Sequence, residues 1–283
     1  FFFFNDTATT EIYTLSLQRR SSDLEPEAER SGRRAFAKLA HILYGASPIA
    51  EAPLRRAMTL FGCKFTQAFG MTETTAAATA LTAEDHELAL SGRPELLRSC
   101  GRALIATDVS IQTPTGDDAA IGSTGEIVVN GPQLMTAYWQ QPEATRAALA
   151  AGAMRTGDAG YRDADGYVYI QDRLKDMVLS GGENIYCVEV ENQLLANPQV
   201  ADAAVIGIPD ERYGEAVMAF VVLRRGAAAC EDEVIAACRA GLAGFKLPRH
   251  VRFVEEIPRN PSGKILKSLL RAEFWPASGR QVA

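Results

Sequence analysis

The sequence has no long hydrophobic run. Phe1 to Phe4 form a short apolar cluster, and no later stretch of the 283 residues reaches the roughly 20 that a membrane-spanning helix needs. The cluster is also too short for a signal-peptide core, so no export signal is read and a cytoplasmic location is expected. Positive charge is scarce: 29 Lys and Arg stand against 35 Asp and Glu, a net charge of −6. The broad basic field of a nucleic-acid binder is missing, and nucleic acid is not expected as a partner. Cysteine is sparse and scattered. Cys63, Cys100, Cys187, Cys230 and Cys238 show no Cys-x-x-Cys spacing, which excludes a zinc knuckle or disulfide framework and leaves buried thiols in a reducing compartment. Internal repeats and low-complexity tracts are absent as well.

With 47% hydrophobic and 23% charged residues, the chain has enough apolar side chains for two domain cores. Its first residues stand apart. Asn5 to Leu17, NDTATTEIYTLSL, resembles the translation of a short-read sequencing adapter. The following Gln18-Arg19-Arg20-Ser21-Ser22-Asp23-Leu24 is what the same bases encode after a one-nucleotide insertion. Residues 1–24 are therefore read as a non-native segment and no elements are predicted for them, with natural protein expected from near Glu25 and an upstream half missing.

From His41 short apolar stretches alternate with turn residues: HILYGAS, CKFTQAF, DVSIQT, GEIVVNG and GYVYIQDR read as strands. Beyond Arg173 the order is mixed, with a helix at 187–196, strands at 203–208 and 217–223, and a helix at 231–243. A strand at 251–255 and a short helix from Lys264 to Phe274 follow. The fold class predicted is mixed α/β: a sheet-rich domain over residues 25–171 and a small α+β domain over 183–283. Between them, residues 172–182 carry charges and glycines in place of an apolar period, as a hinge would.

Four segments carry chemistry. They are Gln67-Ala68-Phe69-Gly70-Met71-Thr72-Glu73, Thr156-Gly157-Asp158, Asp172-Arg173-Leu174-Lys175-Asp176 with Ser180-Gly181-Gly182-Glu183-Asn184, and Pro261-Ser262-Gly263-Lys264. Singly each is weak, since a Thr-Gly-Asp triplet or a Gly-Lys pair recurs by chance. In this order and spacing, over residues 36–275, they resemble the adenylate-forming superfamily of acyl-CoA synthetases, luciferases and peptide-synthetase adenylation domains.

The residues and the resemblance agree on chemistry. A strand that ends in Gly70 lets backbone approach a ligand, and Thr72 and Glu73 then offer a hydroxyl and a carboxylate. The resemblance implies that Thr72 bonds the α-phosphate of ATP and that Glu73 helps to hold Mg²⁺, a hard cation with oxygen ligands. It further implies that Gln67, Phe69, Gly70 and Met71 line the nucleotide, with Phe69 where the family usually has tyrosine, and that Gly45 and Ala46, in the stretch Gly45-Ala46-Ser47-Pro48, pass the adenine ring. Asp158, read as a loop residue, can accept both hydroxyls of a ribose, the role this aspartate has in the family. Arg173 would reach ribose oxygens, Lys175 stands at the family's hinge, and Gly181 and Gly182 would leave room for the pantetheine arm of CoA. Cys187 replaces a common proline.

Lys264 is the expected catalytic residue: joining a carboxylate to the α-phosphate develops negative charge, which a mobile cation stabilises. At ~4 Å and an effective dielectric near 20, one such pair is worth roughly 4 kcal/mol, a rate effect of several hundredfold. The implied reaction is carboxylate plus ATP to acyl-AMP and pyrophosphate, then acyl-AMP plus CoA to acyl-CoA and AMP. Medium-to-long fatty acids are the expected substrates, with an aryl-CoA ligase as the rival. A peptide-synthetase adenylation domain fits less well, because no carrier-protein domain follows before Ala283. A different class of reading, a non-catalytic nucleotide-binding or interaction module, has no need of Lys264 or of a hinge. The family's phosphate-gripping loop has no counterpart in the chain and is expected upstream of Phe36, so little or no synthetase activity is expected of this polypeptide alone.

Overall fold

The computed structural model describes residues 2–5, 38–45, 49, 51–260 and 263–275. They form a mixed α/β fold in two compact units, Phe1–Ile170 and Gln171–Ala283.

The first unit begins with a five-stranded sheet, β1 (Phe2–Asn5), β2 (Leu39–Gly45), β3 (Lys64–Phe69), β4 (Thr79–Leu81) and β5 (Arg102–Ala103), in that spatial order. β2 and β3 run parallel, with Gly45 opposite Ala68. Helix α1 (Glu51–Phe61) makes the crossover between them. Its Leu54, Ala57 and Phe61 are buried and Met58 packs beside them, the i, i+3, i+4, i+7 face of an amphipathic helix. Gly62, at φ 60°, ends the helix by donating to the Met58 carbonyl. Phe2–Asn5 pair antiparallel with β2. A run of phenylalanines has high strand propensity, and β2 offers it a sheet edge. The rest of residues 1–24 lies outside the described residues.

Helix α2 (Ala83–Ser91) starts on a capping box in which Thr82 Oγ1 accepts from the Asp85 amide and Asp85 Oδ2 accepts from the Thr82 amide. It buries His86 against Tyr44, whose hydroxyl is 2.8 Å from Nε2, while Nδ1 lies 2.6 Å from the Thr82 carbonyl. Burial holds this imidazole below its ordinary pKa, so the ring is neutral, Nδ1–H donating and Nε2 accepting.

The second sheet is antiparallel: β6 (Asp108–Gln112), β7 (Gly125–Asn130), β8 (Leu149–Ala150), β9 (Ala153–Arg162) and β10 (Val168–Arg173), in the order β10-β9-β7-β6 with β8 beside β9. A helix, α3 (Pro142–Ala148), leads into β8. Val109, Ile111, Ile127, Val129 and Met154 form its core, on which Phe69 of β3 and Met71 just beyond it also pack.

In the second unit, β11 (Val178–Ser180), β12 (Glu183–Ile185), β13 (Val200–Asp210), β14 (Gly214–Leu223) and β15 (His250–Phe253) make one sheet. Its central hairpin is apolar on both faces. Val205, Val217, Ala219 and Val221 face a core shared with α4 (Cys187–Leu195) and α5 (Glu231–Cys238), while Ile206, Met218 and Phe220 face one closed by Leu270 of α6 (Lys267–Arg271). Two helices are shorter than their periodicity implied: α5 stops at Cys238, three residues before Gly241, and α6 begins at Lys267 because the preceding residues form a turn.

Candidate active site

Gly45 and Gly70 stand at the carboxyl ends of two parallel strands, the edge of an α/β sheet where ligands bind. A Cβ on Gly45 would overlap the Ala68 carbonyl. At Gly70 the reason for glycine differs from the one expected. The chain folds back so tightly that a Cβ would stand 2.6 Å from the Ala76 oxygen and 2.7 Å from the Ala77 Cα, so it is the turn itself that excludes a side chain.

That turn is a compact knot. The Met71 carbonyl accepts from the amides of Thr74 and Ala76, both at 3.0 Å, and buried Thr74 accepts the Met71 amide at 3.0 Å. Thr75 and Ala76 are left-handed at φ 51° and 77°, a costly conformation for residues with a Cβ. Residues 133–138, beyond the strand read at GEIVVNG and marked by no motif, hold the knot from outside. Thr75 Oγ1 donates to the Gln133 carbonyl at 2.6 Å, the Met135 amide donates to the Glu73 carbonyl at 2.8 Å, and Tyr138 Oη donates to Glu73 Oε1 at 2.7 Å. The carboxylate raises the pKa of the Tyr138 phenol through this bond. Thr72 is exposed on the outer side of the turn, and Gln67, Phe69 and Met71 are half-buried.

Glu73 Oε2 has no hydrogen bond among the described residues. No group of three His, Cys, Asp or Glu that could hold a metal occurs among them either. A lone, half-exposed carboxylate fits Mg²⁺ of the kind that arrives with phosphate oxygens and keeps its waters, and it does not fit an all-protein cage.

Asp158 lies in strand β9, not in the loop that Thr156-Gly157 implied. β9 carries an irregularity there: Glu126 pairs with Ala159 and Val128 with Arg155, so Ile127 faces three residues, 156–158. Gly157 takes φ 71°. Asp158 is 9% exposed. It lies near enough to Cys100 to add to the burial that pushes that thiol up to about 12. Cys100 belongs to the core on which Phe69 and Met71 pack, so the first unit gathers the turn and the aspartate around one cluster. Ala46 lies outside the described residues, as do Pro261 and Ser262.

In the second unit, the segment expected to be a hinge is built of hydrogen bonds. The Arg173 carbonyl accepts from the amides of Asp176 and Met177, at 2.9 and 3.0 Å, which closes a turn with Lys175 exposed on it. Buried Asp172 accepts the amides of Arg173 and Cys187, and Asp176 pairs with Arg271 of α6 at 2.7 Å. Although burial opposes its charge, Arg271 and then Lys267 hold the Asp176 carboxyl below the usual range. Lys267 pairs with Glu191 of α4 at 2.8 Å, and Glu191 also accepts the Val205 amide. Gly181 and Gly182, at φ 61° and 86°, form the two-residue turn between β11 and β12, with the Gly181 amide donating to the Tyr213 carbonyl at 2.8 Å.

Lys264 sits in a tight loop pinned at its base. Its amide donates to Asn260 Oδ1 at 2.8 Å and its carbonyl accepts the Asn260 amide at 2.9 Å. Arg259, 10% exposed, donates from Nη1 to the Gly263 carbonyl and from Nη2 to both oxygens of Asp202 at 2.8 Å. The structure thus gathers Arg173, Lys175 and, through Arg271, the helix after Lys264. Gly181 and Gly182 belong to a separate hairpin.

Two family models match the chain: AMP-binding enzyme over residues 7–139 and AMP-binding enzyme C-terminal domain over residues 189–264. The fatty acid–[acyl-carrier-protein] ligase ScoC of Streptomyces coeruleorubidus is 41% identical over 89% of this chain and 48% of its own length. The long-chain-fatty-acid–CoA ligase FadD13 of Mycobacterium tuberculosis is 42% identical over 83% of this chain and 44% of its own. Among solved structures, the amide bond synthetase McbA of Marinactinospora thermotolerans superposes with a TM-score of 0.79 at 37% identity, covering 88% of this chain and 50% of that one. The o-succinylbenzoate coenzyme A synthetase MenE of Bacillus subtilis, in complex with ATP and magnesium ion, gives 0.75 at 33%, covering 88% and 50%. The chain spans about half the length of the relatives it matches.

Proposed function

The chain belongs to the AMP-binding enzyme family, and from that premise we propose that it supplies the nucleotide-holding turn and the lysine-bearing lid of an ATP-dependent acyl-CoA synthetase. In the reaction a carboxylate oxygen attacks the α-phosphorus of ATP, the bond to pyrophosphate breaks, and acyl-AMP forms. The thiolate of CoA then attacks the acyl carbon and AMP leaves. Asp158 accepts the ribose hydroxyls, Thr72 donates to the α-phosphate, and Phe69 with Gly45, Gln67, Gly70 and Met71 bounds the nucleoside. Arg173 reaches ribose oxygens from the lid, and Lys175 is where the lid turns. Lys264 brings positive charge to the developing anion, and Gly181 and Gly182 leave the space that pantetheine threads. Mg²⁺, held by Glu73 under the orientation imposed by Tyr138, would neutralise phosphate charge.

The observation that carries this reading is the one core cluster bearing both the Phe69–Glu73 turn and the neighbourhood of buried Asp158. The names of ScoC and FadD13 favour a fatty acid as the substrate. The acceptor is the open choice: ScoC is named for a carrier protein and McbA for amide formation, so CoA and a carrier protein must be offered side by side.

A calorimetric titration tests the nucleotide half. The chain is expected to bind AMP and a non-hydrolysable acyl-sulfamoyl adenosine in competition. Asp158→Ala should weaken AMP at least about tenfold, since hydrogen bonds to a charged group contribute roughly 1.5–3 kcal/mol. Equal affinity of the variant and the parent refutes the assignment.

A further inference from the structure

Glu126 is a carboxylate inside an otherwise apolar strand, 8% exposed in a run of four buried residues. Such a group must be satisfied. Both of its oxygens are engaged by the strand opposite: Oε1 accepts the Gly157 amide at 3.1 Å, and Oε2 accepts Arg155 Nη2. Arg155 borders the irregular stretch of β9 that ends at Asp158, and Gly157 lies within it. The irregularity leaves backbone groups without ladder partners, and side chains take them up. Thr156 Oγ1 donates to the Ile127 carbonyl at 2.7 Å and accepts the Asp158 amide at 3.1 Å, while Glu126 takes the Gly157 amide. Gly157 takes φ 71°, and a Cβ there would meet nothing within 4 Å, so it is the left-handed backbone and not a lack of space that favours glycine. Its amide is held by Glu126.

We propose that Glu126 is a positioning residue for nucleotide recognition: it spans the irregularity from Arg155 to Gly157 and thereby sets the backbone that presents Asp158 to a ribose diol. The inference rests on the reading of Asp158 as the ribose acceptor. Glu126 touches no nucleotide itself, so its loss should change how the diol is read and leave the remainder of the nucleotide contacts as they are.

The test is a pair of titrations of the chain, with AMP and with its 2′,3′-dideoxy analogue. The parent should prefer AMP by about tenfold or more, the effect of charge-assisted hydrogen bonds to two hydroxyls. In Glu126→Ala that preference should fall towards one while affinity for the dideoxy analogue stays within about twofold, and Glu126→Gln, which keeps an acceptor for Gly157, should recover part of it. In an Asp158→Ala background Glu126→Ala should have no further effect. A folded Glu126→Ala chain with the full preference overturns the inference, as does an equal loss for both nucleotides. Should Glu126→Ala fail to fold, Glu126→Asp, one methylene too short to span both partners, is read in the same way. A parent chain that does not prefer AMP overturns the ribose reading itself, and the inference with it.

Discussion

At Asp172 burial and neighbouring charge pull in opposite directions. The side chain is almost wholly enclosed, which pushes its pKa from the ordinary 3.8 up to about 6, against the pull of Lys267 and the amides of Arg173 and Cys187. The folded chain therefore holds this proton more tightly than the unfolded one. The stabilisation is whole below the ordinary value and is lost as pH rises through about 6. Replacing the group by a neutral isostere removes that loss. Asp172→Asn is expected to gain on the parent as pH goes from about 4 to about 7.5, by as much as ~3 kcal/mol for a shift of some two units. Urea unfolding at the two pH values measures it, and a difference that does not change with pH contradicts it. At this scale the sequence singles out candidates, since Thr72, Glu73, Asp158 and Lys264 each stand in a motif. The conformation around Asp158 was not legible, because the Gly157 amide is taken up by Glu126, 31 residues earlier. A glutamate inside GEIVVN was the available signal, since a charge in a buried strand needs a partner.

Among elements, strands read best. The period-two alternation of β13 and β14 separates two cores residue by residue, and both strands came out close to their predicted bounds. Helices in the first unit were passed over although their signals were present: Thr82-Ala83-Glu84-Asp85 is a capping box with Gly92 beyond it, and Leu54, Ala57, Met58 and Phe61 trace a helical face. Helix α6 shows what a pattern alone misses. Its Lys267 and Arg271, four apart, could equally have been solvated, yet they enter a buried set of charges with Glu191 and Asp176, and Arg271 Nε is buried without a partner. The Arg271–Asp176 pair ties the helix after Lys264 to the turn that carries Lys175. Removing one member of such a pair strands the other, so Arg271→Met is expected to cost about 3 kcal/mol by chemical denaturation. Arg271→Met with Asp176→Leu should recover most of it. Additive losses in the double variant contradict the pairing.

For the whole molecule, each unit has its own apolar cores, and the residues to which we assign roles divide between them: Thr72, Glu73 and Asp158 lie in the first, Arg173, Lys175, Gly181, Gly182 and Lys264 in the second. Such a division suits the proposed reaction, whose two steps call for different groups in turn. Lys264 is proposed to serve the first step, and the other assigned roles depend on it. Joined to the part of a fatty-acyl relative such as FadD13 that it does not match, the chain is expected to give an enzyme in which both steps can be followed. The measurement is acid-dependent exchange of pyrophosphate into ATP, set beside thioester formation from preformed acyl-AMP, in the parent and in Lys264→Ala. Exchange is expected to fall several hundredfold, for roughly 4 kcal/mol of lost charge stabilisation, with thioester formation nearly unchanged. Equal losses in the two steps, or exchange that survives the substitution, would contradict it.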